Sequence, residues 1–142
     1  MIEVAGEASG KIEITLLPKL APLHVERIKA LVNAGLYDGV VFHRVIEGFM
    51  AQTGDVKFGN SLGFNSDLVG RGGSFLPNLP SEFSDLPFIE GTVGMARSQD
   101  PNSANSQFFI MFKPAPHLNN KYTVCLLYTS PSPRDATLSR MP

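Results

Sequence analysis

The sequence has few of the residues that form disulfide bonds in small secreted domains or bind metals. Its 142 residues include one cysteine and no tryptophan, and a single cysteine excludes an internal disulfide. The three histidines, at positions 24, 43 and 117, lack the spacing of metal ligands. We therefore expect no metal and no other cofactor, so the fold must depend on a hydrophobic core.

An excess of one charge and long apolar runs are also missing. Twelve basic and thirteen acidic residues are scattered along the chain and give a net charge of −1, so no basic stripe invites nucleic acid or a membrane surface. Residues 1–7 carry acidic side chains where a secretory signal needs positive charge, and no run is long enough for a membrane span. We expect a cytoplasmic monomer with neither nucleic acid nor membrane as a partner.

What the chain does contain is material for one core. Hydrophobic residues make up 43% of it, ten phenylalanines among them, which suits a single domain. An alternating pattern over 11–16, separated by a glycine turn at 6–10 from the apolar run 1–4, predicts an opening β-hairpin. Apolar residues at helical spacing from Pro22 to Ala34, followed by Gly35, predict a helix.

Short apolar runs dominate the rest of the chain. Residues 40–42 and 49–52 predict two strands joined by a tight connection, and residues 91–96 and 107–112 predict two more. Residues 54–86 are rich in Gly, Ser, Asn and Pro, which predicts long irregular loops. Many short strands with one helix predict a small, mainly β barrel.

Residues 125–142 do not share this pattern. From 125 to 135 the chain has neither helical nor strand periodicity and is punctuated by prolines, which predicts a loose tail. One allowed codon choice for that stretch matches a transposon-end adapter used in preparing sequencing libraries. Three codons later, residues 139–142 match translation of the adapter's outer primer in the same frame. We expect a domain at 1–124 followed by a non-native tail, a natural disordered tail being the alternative.

The segment Phe42 to Gln52 contains the most distinctive chemistry. It places Arg44 among aromatic and thioether side chains, and Gln107 supplies a second amide. An apolar concave site with a few fixed polar donors is typical of a small-ligand or peptide pocket. In the alternative interpretation Arg44 is a solvated strand residue and the Phe and Met side chains fill the barrel. The spacing alone leaves both open.

Four segments together resemble successive signatures of the cyclophilin family, in family order: Phe42-His43-Arg44, Gly48 to Asp55, Met95-Ala96-Arg97 and Ser106 to Ile110. The resemblance covers essentially all of 1–124. It implies an antiparallel eight-stranded β-barrel capped by two helices, of which this chain would lack the last strands and the second helix. It also implies a peptidyl-prolyl cis/trans isomerase that acts on X-Pro bonds and assists protein folding.

The resemblance also implies which residues form the site. Its catalytic residues would be Arg44, Phe49, Gln52 and Phe109. Its substrate contacts would be His43, Met50, Ala96, Arg97, Gln107, His117, Leu118 and Tyr122. The residues at 97, 117 and 122 look bacterial in type, and His117 stands where many eukaryotic members have a pocket-rim tryptophan, which implies weak or no cyclosporin binding.

The implied partners are proline-containing peptides and unfolded proteins. Isomerisation transfers no proton, so His43 is expected to position the substrate and not to act as an acid or base. Two alternatives are a proline-peptide binding module without catalysis, and an inactive truncated fragment whose barrel does not close. Retention of Arg44 favours the enzyme, because a binding groove alone would not require that cation.

Overall fold

The computed structural model describes residues 2–4 and 10–129. The strands in this part are β1 (Ile2–Val4), β2 (Gly10–Leu16), β3 (Arg44–Ile46), β4 (Met50–Thr53), β5 (Thr92–Met95), β6 (Phe108–Met111) and β7 (Val124–Thr129). The helix α1 spans Pro22–Asn33, and a 3-10 turn spans Pro116–Leu118.

All seven strands belong to one antiparallel sheet in the order β1-β2-β7-β5-β6-β4-β3. The predicted mainly β fold with one helix against it is therefore confirmed. Ile2 pairs with Ile12 in the opening hairpin, whose predicted turn lies almost entirely outside the described residues. Strands β1 and β3 are the two edges, with no ladder between them among the described residues.

Helix α1 takes its N-terminal cap from a distant part of the chain. It begins at Pro22, and Ala21 before it has no side chain that could cap. Instead the backbone amides of Leu23 and His24 donate to the carboxylate of Glu82, at 3.2 and 2.9 Å. The buried ring of His24 contacts the same carboxylate through Nδ1. His24 therefore has a structural role at the start of the helix.

The predicted strand at 40–42 is wrong in position. Val40 makes only an isolated bridge to Asn60, and the ladder with β4 begins at Arg44. Gly48, with φ of +74°, forms the turn, and the amide of Phe49 donates to the carbonyl of Ile46 at 3.0 Å. Because this turn fixes the hairpin register, the three residues before it pair and the earlier apolar run does not.

The loose tail predicted from residue 125 is also wrong for its first residues. Strand β7 runs between β2 and β5, and Cys125 and Leu126 are 0% and 1% exposed. A strand in the middle of a sheet can be buried on both faces, so it shows a continuous apolar run without alternation. Residues 130–142 lie outside the described part, and the origin of 125–142 stays a prediction.

The central strands are covered on both faces. One face packs with α1 and β2 in a core that includes Val25, Ile28, Val93 and Ile110. The other face carries a second cluster, here called the outer-face cluster. Its buried members are Met50, Phe88, Phe109, Met111, Ala115 and Val124, and its partly exposed members include Phe49, Ala96, Leu118 and Tyr122.

Candidate active site

Three of the predicted catalytic residues lie in one row across the sheet. Arg44 on β3 pairs with Gln52 on β4, Gln52 pairs with Phe109 on β6, and Phe109 pairs with Gly94 on β5. Residues directly opposite each other on antiparallel strands point to the same face. The strands therefore place a guanidinium, an amide and an aromatic ring side by side, an arrangement called here the strand wall.

The aromatic part of the row is tightly packed. The ring of Phe109 is stacked on Phe88 at 5.8 Å and meets Tyr122 edge-on at 5.7 Å. Gly94 makes room for both phenylalanines, because an added Cβ would lie 2.6 Å from Phe88 Cε2 and 2.7 Å from Phe109 Cζ. The result is a rigid apolar floor beside Arg44 and Gln52.

The predicted proline-pocket residues divide into a floor and a rim. Met50 and Phe109 are 4% and 5% exposed, so they form the floor. Phe49 and Leu118 are only partly buried and pack on the same cluster. His117, exposed on the 3-10 turn, stacks on Phe49 with ring centroids 6.3 Å apart. The rim therefore offers accessible apolar surface over a fixed floor.

Gln52 is oriented by a buried neighbour. Its Nε2 donates to Gln107 Oε1 at 2.9 Å. Gln107, which is 8% exposed, in turn donates from Nε2 to the carbonyls of Gly70 and Gly72 at 2.9 and 2.8 Å. The two glutamines thus join the strand wall to residues 70–78, called here the loop wall.

The loop wall is held by a residue to which the sequence assigned no role. Asp55 is fully buried, and its Oδ1 accepts from the amides of Lys57 and Phe58 while Oδ2 accepts from those of Gly70 and Gly72, at 2.7 to 3.1 Å. Burial raises the pKa of Asp55, but these donors outweigh it and hold the pKa below its ordinary value.

The sequence offers only one signal for the structural role of Asp55, namely that it is an isolated acidic residue directly after Gly54. No periodicity marks it, because its four partners are backbone amides. The glycines of the loop wall are likewise explained by contact: a Cβ on Gly72 would clash with Asp55 Oδ1. Residues 70–74 are therefore a hydrogen-bonded wall of the site within the long irregular loop that the sequence predicted.

His43 is adjacent to the row but outside it. An added Cβ on Gly70 would lie 3.5 Å from its ring atoms Cδ2 and Nε2. Its Nδ1 is buried and has no hydrogen-bond partner among the described residues. Burial lowers the pKa of His43, opposed by nearby Asp55 and assisted by Arg44. A neutral ring that packs against the loop wall fits the predicted positioning role, which stays a prediction.

Arg44 and Arg97 are in different situations. Arg44 is exposed, and the ion pair found in the described part of the chain, between His24 and Glu82, does not involve it. Arg97 donates to the carbonyls of Lys121 and Ser98 and lies 4.3 Å from the ring centroid of Tyr122. Arg44 is therefore available to a substrate, whereas Arg97 is engaged by the protein.

The chemistry that this arrangement offers is hydrogen bonding beside an apolar surface. Within residues 2–4 and 10–129, no group of three or more His, Cys, Asp or Glu side chains could hold a metal ion. The polar groups here are instead the guanidinium and the amide of the row, together with the neighbouring amide of Gln107. No helix in the same residues is long and apolar enough to cross a bilayer.

A model of the family "Cyclophilin type peptidyl-prolyl cis-trans isomerase/CLD" matches residues 1–125. The chain belongs to this family. Among curated cyclophilin relatives, a "Probable peptidyl-prolyl cis-trans isomerase" of Brucella suis is 66% identical over 116 residues, which are 81% of this chain and 59% of the relative. A peptidyl-prolyl cis-trans isomerase of Arabidopsis thaliana is 37% identical over 132 residues, 93% of this chain and 56% of the relative. The chain thus spans less than two thirds of these proteins.

Solved cyclophilin structures share the fold. A cyclophilin of Cryptosporidium parvum, crystallised in the presence of the dipeptide Ala-Pro, superposes with a TM-score of 0.80 at 28% identity, over 94% of this chain and 81% of that one. Cyclophilin AquaCyp293 of Hirschia baltica gives 0.73 at 27% identity, over 91% and 62%. These likenesses confirm the fold expected from the sequence.

Proposed function

We propose that this cyclophilin chain binds X-Pro segments of flexible or unfolded polypeptides and catalyses cis/trans isomerisation of the prolyl bond. The observation that carries the proposal is the row of Arg44, Gln52 and Phe109 on three neighbouring strands. The row sets a cation and an amide donor beside an apolar floor of a kind that suits a pyrrolidine ring. A relative of known structure was crystallised in the presence of Ala-Pro, which supports proline as the recognised residue.

The row suits the physical requirement of the reaction. Rotation about the prolyl bond must break amide resonance, over a barrier of about 18 to 20 kcal/mol. A hydrogen bond from Arg44 to the prolyl unit favours the pyramidal nitrogen of the twisted state over the planar, conjugated one. The floor around Phe109 holds the ring still while the bond turns. No proton moves, so a neutral His43 is compatible with the reaction.

Arg44 alone is insufficient for a large acceleration. A rate gain of about 10⁴ needs roughly 5.5 kcal/mol, whereas one charge-assisted hydrogen bond contributes about 1.5 to 3 kcal/mol. We assign the remainder to preorganisation of the site. The packing of Phe109 between Phe88 and Tyr122 and the fixed amide of Gln52 are the features that would supply it.

Finer properties are proposed on the same basis. His117 presents a small exposed ring at the rim, where it stacks on Phe49, and we propose that cyclosporin binds weakly or not at all. We propose assistance to folding in the cytoplasm as the cellular role, with unfolded proteins as clients. Both follow from the sequence expectations and each can fail separately from catalysis.

The test is exchange NMR on a short Ala-Pro peptide with catalytic amounts of protein. The parent chain should accelerate exchange, and Arg44→Ala should lower the rate by roughly 10- to 150-fold, the equivalent of one charge-assisted hydrogen bond. Arg44→Lys should restore little, because a point charge lacks the planar fork. Lys29→Ala, on the exposed side of α1, is the matched control and should leave the rate unchanged.

The same NMR experiment, with the peptide titrated to measure binding, separates an enzyme from a binding module and from an inactive chain. Peptide binding without faster exchange would identify a binding module that is not an enzyme. A parent chain that is folded by circular dichroism but neither binds nor accelerates would overturn the proposed function. Equal rates for the parent chain and Arg44→Ala would remove Arg44 from its role.

A further inference from the structure

A groove of about 740 Å³ opens beside the apolar floor. Its base is lined by Gln52, Ala96 and Gln107, and its sides are the loop wall and the segment 97–106. Gln52 also belongs to the row with Arg44, and Ala96 also packs on the outer-face cluster. The groove is thus continuous with the proline site, and a peptide with its proline on the floor extends a neighbouring residue into it.

The groove is held open by its own hydrogen bonds. Asn105 Oδ1 accepts from the backbone amide and the hydroxyl of Ser74, at 2.7 and 2.6 Å. Its Nδ2 donates to the carbonyl of Leu76 at 3.0 Å. Further along, the amide of Leu79 donates to the carbonyl of Ala104 at 2.7 Å. Since both sides are tied together, the groove is preformed and its side chains act on a ligand without a large rearrangement.

The charge in this groove has one sign. Lys57, Arg71 and Arg97 line it, and no acidic side chain does, although the whole chain carries −1. Asp55 lies behind the loop wall, where four backbone amides occupy its carboxylate. Asp100 belongs to the segment 97–106 but is not among the lining residues. A cleft lined by one sign of charge focuses its potential on whatever enters.

We propose that this groove makes the chain selective for X-Pro substrates that carry an acidic side chain next to the proline. The inference rests on the proposed function and adds the substrate class. Lys57 and Arg71 are exposed, and their side chains make no hydrogen bond or ion pair within the described residues, although Lys57 Nζ lies 5.1 Å from the ring centroid of Phe58. They can therefore meet a carboxylate, whereas Arg97 is engaged with the carbonyls of Lys121 and Ser98. The shared chemistry is an anionic group, either a carboxylate or the phosphate of a phosphorylated serine.

The experiment compares peptides that differ only at the residue beside proline. Glu, Gln and Lys are placed before the proline in one set and after it in another, and affinity is measured by NMR titration. We expect Glu to bind about three- to tenfold more tightly than Gln, and Lys more weakly, on one side of the proline. The difference should shrink between 0.1 and 1 M salt, where the screening length falls from about 10 to about 3 Å.

Variants assign the preference to the groove. In Lys57→Gln/Arg71→Gln the ratio of Glu to Gln affinity should fall towards one, and in Arg71→Glu the Lys peptide should become the preferred ligand. Lys29→Gln removes a positive charge outside the groove and should keep the parent ratio. A phosphoserine peptide that binds more tightly than the Glu peptide would identify phosphorylated substrates, and equal binding would identify plain acidic ones.

Three results would overturn the inference, and they are distinguishable. Equal affinity for the Glu, Gln and Lys peptides in both sets, with the Gln peptide still bound and isomerised, would overturn the acidic preference and leave the proposed function standing. Absence of binding for every peptide would overturn both. A preference that persists unchanged in Lys57→Gln/Arg71→Gln would overturn the assignment to these two cations.

Discussion

The strand wall and the loop wall meet in one site but are built in different ways. On the strand wall, the backbone ladder puts Arg44, Gln52 and Phe109 opposite each other. On the loop wall, polar side chains replace the ladder: the buried Asp55 accepts from four backbone amides, and the partly buried Asn105 holds Ser74 in place. The strand wall therefore follows from the local sequence pattern. The loop wall depends on single polar groups, and no other group replaces one that is removed.

The largest effect should come from removing the middle of the sheet on which the strand wall stands. A chain that ends at Val124 loses most of β7 and with it the buried Cys125 and Leu126. We expect it to lose roughly the whole 5 to 15 kcal/mol that stabilises a domain, since β2 and β5 both lose the strand that joins them and the sheet is divided into two parts. Circular dichroism and urea denaturation measure this.

A chain that ends at Thr129 is the control for that truncation. It keeps every described residue of β7 and should match the full chain in its free energy of unfolding. Equal stability of the chain ending at Val124 would contradict the central place of β7 and would favour the sequence expectation of a domain at 1–124.

The next largest effect should come from Asp55→Asn, which breaks the loop wall. The new amide group would face backbone donors, so we expect a loss of about 3 kcal/mol together with weaker peptide binding. Asp67→Asn, an exposed carboxylate in the same long loop, should change stability by less than about 0.5 kcal/mol.

The same variant predicts a pH dependence. The pKa of Asp55 is lowered in the folded chain, so its contribution is present above the unfolded value of about 3.9 and is lost as the pH falls below it. The stability difference between the parent chain and Asp55→Asn should therefore narrow between pH 5 and about pH 3. A constant difference over that range would mean that the carboxylate is not the source of the stabilisation.

A smaller effect is expected from Gly94→Ala, which crowds the strand wall without touching the loop wall. The added methyl group meets the rings of Phe88 and Phe109, and overpacking of this kind costs about 1 to 3 kcal/mol. Gly63→Ala is the control, because no atom lies within 4 Å of its added Cβ. Denaturation and NMR shifts of Phe109 report the result; an undisturbed Phe109 ring would show that the floor is softer than described.

The smallest effect concerns the junction between the walls. Gln52→Leu removes the hydrogen bond to Gln107 and should cost about 1 kcal/mol of stability. Combined with Asp55→Asn in a double-mutant cycle, it should show a coupling of at least about 0.5 kcal/mol if Gln107 transmits order between the walls. Strict additivity would mean that the walls are independent.

The strand wall was largely predictable from the sequence. The hairpin at the start, helix α1 and the strands around Thr92 and Phe108 all follow from apolar periodicity. The errors have physical causes: β7 is buried on both faces and shows no alternation, and the register set by Gly48 moved a strand from 40–42 to Arg44–Ile46. A period of two identifies a half-buried strand, but neither its exact start nor a fully buried partner.

The loop wall was not predictable in the same way. Residues 54–86 were expected to be irregular, and they contain no named strand, yet irregular did not mean unconstrained. The hydrogen bonds that Asp55 accepts from the amides of Gly70 and Gly72 join residues 15 and 17 positions apart. Phe88, which stacks on Phe109, is one of ten phenylalanines in the sequence. Only the three-dimensional contacts distinguish residues such as Asp55 and Phe88, which build the site, from residues of the same type that do not.

The cap that Glu82 gives to α1 bears on the order in which the chain folds. In the first turn of the helix, the amides of Leu23 and His24 donate to a carboxylate 59 and 58 positions further along. A short isolated helix is marginal in water, so α1 gains its full stability when the segment around Glu82 docks. During synthesis the helix is therefore completed after the first strands of the site, and its full stability depends on docking of the segment near the end of the long loop.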